Sequence, residues 1–207
     1  MRLARHGFQV VGVDFAEVVL DAARENIRAA GLQESVELQR GDLTRLSFPT
    51  GSFRRVLCWG VLMHVPDLDA AVAELSRVLA PGGLLAVNDA NLASLDNLAI
   101  AVRDRLRRSA PRRRRTRVGV ERWKTTAAGP LLIRQSDMNR LVSAFESHGL
   151  RLRARFAGEL TETYAITGDE RLRRAIHRVN DVWFRRARVA GLAQSNVIVL
   201  ERPETAS

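Results

Sequence analysis

"VVGVDFAEVVLDAAREN", residues 10–26, runs from a cluster of valines onto an acid, Asp14, and straight into a pattern of helical period. Val10, Val11 and Val13 are β-branched and suit a buried strand, which we place over 8–14. Val19, Leu20, Ala23 and Ile27 then recur at helical spacing over 16–30, with Gly31 as the stop. A buried strand that ends on an acid and turns at once into a helix is how a nucleotide-binding α/β unit presents a carboxylate to a ribose. A glycine loop belongs before such a strand. Only eight residues precede Gln9, and the one glycine among them is Gly7.

Working outward, strand-like and helix-like patterns alternate as far as about Asn91, the signature of a parallel sheet with crossover helices. "SVELQ" at 35–39 and "RRVLCWG" at 54–60 read as strands, and "LLAVND" at 84–89 as another. Between them "DLDAAVAELSRVLAPGG" carries Leu68, Val72, Leu75 and Leu79 on one helical face and closes at Pro81 and two glycines. A helix-like segment reaches about Arg108, after which "RRSAPRRRRTRVGVERWK" breaks all periodicity and reads as a solvated, mobile insertion. Its sharper reading is a basic lid or phosphate-contacting arm. Ser136 is the expected N-cap of a helix burying Met138, Leu141, Val142 and Phe145 and ending at Gly149. A strand at 150–157, a helix at 169–190 with Leu172, Ile176, Val179, Trp183 and Ala187 on one stripe, and a last strand at 195–201 complete the chain.

The chain has 207 residues, 46% of them hydrophobic and 27% charged, which suits a single α/β domain with insertions. The net charge of +10 is carried almost wholly by arginine, Lys124 being the only lysine. Such a balance attracts anionic partners, yet it constrains function weakly. The single cysteine, Cys58, excludes an internal disulfide and fits a reducing cytoplasm. No run approaches the roughly 18 apolar residues that span a bilayer. His6, His64, His148 and His177 are scattered, and no metal-ligand spacing appears.

Asp14 has a counterpart in Asp42, which follows the strand at 35–39 within "RGDL". In a doubly wound sheet both acids face the crevice beyond the carboxyl ends of the strands. One carboxylate there accepts from ribose hydroxyls and a second from an adenine amine, although either Asp alone is more often a turn or cap residue. At this point "VVGVDFAEVVLDAAREN", "RGDLTRLSFPTGSFRRVLCWGVLMHVPD" and "LSRVLAPGGLLAVND", in this order and spacing, resemble the class I S-adenosylmethionine-dependent methyltransferases, in particular the compact bacterial small-molecule type. The resemblance implies a Rossmann-like, doubly wound, mostly parallel sheet. Its cofactor-binding half covers 1–91, a basic helical cap insertion 92–130, and a C-terminal half 131–207. It further implies that Asp14 binds the ribose hydroxyls of S-adenosylmethionine, Phe15 packs on the adenine, and Asp42 with Leu43 holds the adenine edge. Trp59 and Gly60 fall beside the methionine portion and the transferred methyl.

The departure from the family is the first strand and its D-x-G-C-G-x-G loop, which the residues before Gln9 do not supply. We expect an N-terminal truncation, with a short inactive homologue as the alternative. The expected reaction is methyl transfer to a small-molecule acceptor in the cytoplasm, without a membrane or metal. An RNA methyltransferase using 103–124 is weighed second, and a non-catalytic remnant third. A nicotinamide dehydrogenase would not need the "GDL" acid. DNA amino-methylating enzymes carry a D/N-P-P-Y/F turn where this chain has "CWGVLMHV", and Cys58 lacks the preceding proline of cytosine C5 enzymes. A base is needed only if the acceptor must lose a proton. His64 is the candidate, against the plainer role of capping the next helix. Glu162 and Tyr164 are further pocket candidates, against that of an exposed loop.

Overall fold

The computed structural model describes residues 1–106, 113–126, 129–161, 168–186 and 189–204. The chain forms two compact units, Met1–Pro49 and Thr50–Ser207.

The first unit contains α1 (Arg2–Arg5), β1 (Val10–Asp14), α2 (Glu17–Ala29) and β2 (Val36–Arg40). β1 and β2 pair in parallel, from Val10 opposite Val36 to Asp14 opposite Arg40. Parallel neighbours need a crossover, and α2 provides it. Leu20 and Ile27 are its buried face, while Val19, expected to share that face, is exposed. Gly31 ends the helix with φ +66, a left-handed conformation that suits glycine. Gly41, directly after β2, lies so close to β1 that an added Cβ would meet Val13 Cγ1 at 2.8 Å. That close approach keeps the loops leaving both strands side by side.

The second unit is built on a four-stranded mixed sheet in the order β3-β4-β9-β8, from β3 (Phe53–Trp59), β4 (Leu79–Ala90), β8 (Arg151–Ala157) and β9 (Ser195–Glu201). β3 and β4 are parallel, and the pairs β4/β9 and β9/β8 are antiparallel. Within this α/β, Rossmann-like architecture, β4 alternates buried Leu85 and Val87 along its middle and is buried at every residue from Val87 to Ala90. α3 (Leu68–Val78) lies between β3 and β4, N-capped by the Asp67 carboxylate, which accepts from Ala70 N at 3.0 Å. Leu68, Val72, Leu75 and Leu79 are all buried, as their spacing requires. The helix stops at Val78 because Pro81 disfavours helical geometry before it, so Leu79 already belongs to β4.

The basic stretch departs from its expected reading. Residues 107–112 lie outside the described residues, but β5 (Arg114–Arg115), β6 (Gly119–Thr126) and β7 (Gly129–Ser136) form an antiparallel three-stranded sheet. Val118, Glu121, Leu132, Arg134 and Ser136 are buried. The pattern escaped a hydrophobic reading because two of its buried positions are an acid and an arginine that neutralise each other. α4 (Leu95–Leu106) precedes this sheet and accounts for the expected helix.

α5 (Met138–Glu146) buries Met138, Leu141, Val142 and Phe145 as expected. Its N-cap is Asp137, whose Oδ1 accepts from the amides of Asn139 and Arg140, and not Ser136, which closes β7. α6 (Glu170–Arg186) is shorter than expected, and its stripe is only partly covered, with Leu172 and Val179 about half exposed. Among the described side chains of α6, Asn180 is the buried one, and its Oδ1 accepts from Leu160 N and Thr161 N. Ala187 lies outside the described residues. Among the described residues no helix is long and apolar enough to cross a membrane.

Candidate functional site

In the first unit the two sequence-predicted acids come together. Asp14 ends β1 and Asp42 stands two residues beyond Arg40, its register partner. The Gly41 amide donates to the Asp14 carbonyl at 3.0 Å, which fixes the spacing of the two loops. Asp14 Oδ1 accepts from Ala16 N at 2.9 Å, an Asx turn that orients the carboxylate at the start of α2. Asp42 Oδ1 accepts from both the amide and the hydroxyl of Thr44, each at 2.8 Å. Those two bonds hold the Asp42 pKa below the ordinary carboxylate range. In each acid Oδ2 has no partner among the described residues. Beside them the Phe15 ring is 77% exposed, while the Phe15 carbonyl accepts from Arg40 Nε at 3.3 Å. Leu43 is half-buried. Two anchored carboxylates with one oxygen each to spare, next to an open aromatic ring, fit a nucleoside that carries a diol and an amine.

In the second unit Trp59 ends β3 with its side chain 59% exposed. Gly60 follows at φ +67 and donates to the Asn88 carbonyl at 3.0 Å, so the chain turns away from the sheet while still tied to β4. A 3-10 turn, Leu62–His64, comes next. His64 does not cap α3. Its Nδ1 lies 2.7 Å from the Leu132 carbonyl on β7. Cys58, behind this turn, is buried, and burial followed by the charge of Asp89 pushes its thiol up to about 12, against the Leu62 amide that lowers it.

Three residues that sequence reading missed converge here. Arg134, 2% exposed, donates through Nε and Nη2 to Glu121 Oε1 at 3.0 and 2.6 Å. Its Nη1 donates to the carbonyls of Leu62 and Val65 at 2.8 and 2.9 Å, and Nη2 reaches the Pro66 carbonyl at 3.3 Å. One guanidinium thus spans the turn on both sides of His64. Asp89, near the carboxyl end of β4, is 1% exposed and accepts from Ser136 Oγ at 2.6 Å, while its Oδ1 is buried without a partner. Burial raises its pKa to about 6, against the lowering effects of Ser136, the Ala90 amide, Arg134 and His64. The signal for Asp89 was present in "LLAVND", an acid at a strand end like Asp14. Glu121 and Arg134 gave none, because they sit in the stretch that looked aperiodic. Glu162 and Tyr164 lie outside the described residues.

A depression of about 200 Å3 lies between the start of α3 and the β5–β7 sheet. Its charges are satisfied internally, Arg117 by Asp69 at 2.6 Å and Arg114 by Glu121 at 3.2 Å, which leaves little to hold a ligand.

A methyltransferase-domain family model matches residues 1–87. The methyltransferase GfsG of Streptomyces halstedii is 35% identical over 97 residues, which are 46% of this chain and 35% of that protein. The demethylmenaquinone methyltransferase of Desulfitobacterium hafniense is 38% identical over 78 residues, 37% of this chain and 30% of that one. The chain therefore spans about a third of the length of these curated relatives. Among solved structures, a SAM-dependent methyltransferase from Methanosarcina mazei superposes with TM-score 0.67 at 18% identity, covering 99% of this chain and 86% of that one. The [4+2]-cyclase SpnF superposes with TM-score 0.63 at 19% identity, covering 99% and 71%. One architecture thus serves a methyltransferase and a cyclase, and the fold alone does not fix the reaction. Residues 1–87 thus match a methyltransferase-domain model, and the fold is the one found in S-adenosylmethionine-dependent methyltransferases of known structure.

Proposed function

We propose that the protein is an S-adenosylmethionine-dependent methyltransferase acting on a small-molecule acceptor. The observation that carries this reading is the pair Asp14 and Asp42, each locked by its own turn and each keeping Oδ2 for a ligand. Asp14 takes the ribose hydroxyls, Phe15 covers the adenine, and Asp42 with Leu43 takes the adenine edge. Trp59 and Gly60 serve the methionine portion. The bound cofactor supplies a methyl group on an already activated sulfonium. What is asked of the protein is chiefly alignment and exclusion of water. A small acceptor is supported by the demethylmenaquinone methyltransferases, whose name specifies one.

Calorimetric titration with S-adenosylhomocysteine tests the assignment. Asp14→Ala should weaken binding by about 1.5 to 3 kcal/mol for each charge-assisted bond lost, and His64→Ala should change it little. The reverse ranking would mean that the ribose site lies elsewhere.

A further inference from the structure

We propose that α4 and α6 form a docking face for an anionic lipid surface, with their exposed apolar stripes set against the acyl chains and the α6 arginines among the headgroups. The inference is independent of the methyl-transfer reading. On α4, Leu95, Leu98, Val102 and Leu106 recur at spacings of three and four, which puts them on one line of the helix. The last three are each more than half exposed. On α6, Val179 and Val182 are more than half exposed and Leu172 nearly so, while Asn180 marks the side turned into the protein. Thr161 ties the two helices together. Its hydroxyl donates to Asp96 Oδ2 in the first turn of α4 at 2.8 Å, its amide donates to Asn180 Oδ1 at 3.2 Å, and its carbonyl accepts from Asn180 Nδ2 at 2.9 Å. The Leu95 amide donates to the Leu192 carbonyl at 3.2 Å, and Leu192 and Val189 extend the exposed apolar surface beyond α6.

Charge selects the occupant. α6 carries six arginines against two acids, Glu170 and Asp181. Arg173 pairs with Glu170 at 2.9 Å and Arg185 with Asp181 at 3.1 Å. Arg171, Arg174, Arg178 and Arg186 are exposed and have no acid partner among the described residues. The first three of these follow helical spacing along the flank of the apolar line. Apolar side chains beside unpaired arginines are the pattern of a helix lying in the plane of a bilayer interface. The apolar groups enter the acyl boundary, and the long cationic side chains reach back to the phosphates. A second copy of the chain would bring the same excess of arginine against itself. A nucleic acid would neutralise the arginines but leave the leucines and valines in water. The α4 stripe runs about 16 Å from Leu95 to Leu106, more than a small acceptor covers. The expectation that no membrane is involved rested on the lack of a run long enough to span a bilayer, and a helix in the interface plane needs none.

Vesicle flotation of the full 207-residue chain tests this. The chain should float with vesicles of equal parts phosphatidylglycerol and phosphatidylcholine at about 0.1 M salt and stay behind with pure phosphatidylcholine. A chain of net charge +10 adheres to anionic vesicles to some degree by charge alone, so the apolar face needs its own test. Leu98→Gln with Val102→Gln on α4, and Val179→Gln with Val182→Gln on α6, change exposed positions and keep every charge. Each pair should lower the vesicle partition coefficient about 10-fold or more, with the far-ultraviolet circular dichroism unchanged. In the parent chain, anionic vesicles should slow amide hydrogen exchange over 95–106 and 170–186 and leave 53–59 as it was. Equal flotation with pure phosphatidylcholine, undiminished binding by both glutamine pairs, or vesicle protection elsewhere than these helices overturns the proposal. A parent dimer that either glutamine pair dissociates also overturns it, because a second copy then covers the face. Submicromolar retention of polyuridine without vesicle binding assigns the arginines to nucleic acid and overturns it as well.

Discussion

Asp89 sits where burial and ionisation pull in opposite directions. Its carboxyl is raised from 3.8 to about 6, so between those values the unfolded chain releases the proton that the folded chain still holds. Stability from this group therefore falls as pH rises from about 4 to 6 and stays lowered above that, the reverse of an ordinary ion-paired carboxylate. Two pKa units correspond to about 3 kcal/mol. Asp89→Asn keeps an oxygen for the Ser136 hydroxyl and removes the charge. The variant should be more stable than the parent near pH 7, by up to about 3 kcal/mol, and the advantage should shrink by pH 4. Urea melts of both proteins at the two pH values measure that difference directly.

The β5–β7 sheet depends on a buried ion pair, and ion pairs of this kind fail asymmetrically. Arg134→Met leaves Glu121, among the described residues, with Arg114 alone, which is itself mostly exposed, and strips three carbonyls of a donor. The expected loss is about 3 to 5 kcal/mol. Replacing Glu121 by Met as well removes the stranded charge, so the double variant should recover part of the loss in the same denaturation experiment. This sheet is also where sequence reading reached its limit. A strand announces itself by alternating apolar residues, and here Glu121 and Arg134 occupy inward positions. "RVGVERWK" consequently looked like a solvated charge run. Ser136 misled for a related reason, since Ser136 and Asp137 are both good caps and only the three-dimensional neighbourhood shows that Ser136 serves Asp89. By contrast the positions of Asp14 and Asp42 beyond two paired strands, the α3 stripe and the bounds of β9 were legible, because each rests on a local pattern.

Across the whole molecule the +10 charge proves a weak guide. Many arginines are spent on intramolecular partners, among them Arg24, Arg77, Arg117, Arg134 and Arg153, each with an acid within 3 Å. The informative signal was instead the order of three motifs over residues 10–89, a region that the methyltransferase-domain model matches from 1 to 87. The most practical global property follows from Cys58. It is the chain's one cysteine, buried in the β3/β4 parallel pair with a thiol pushed up to about 12. A protonated, enclosed sulfur does not react with an alkylating reagent. Native protein should therefore resist labelling until β3 opens, and the labelling rate in excess reagent should follow that opening. Rapid labelling under native conditions would show that β3 is already loose. Without any engineered probe, the chain carries a chemical clock on the strand that leads into Trp59, Gly60 and the His64 turn.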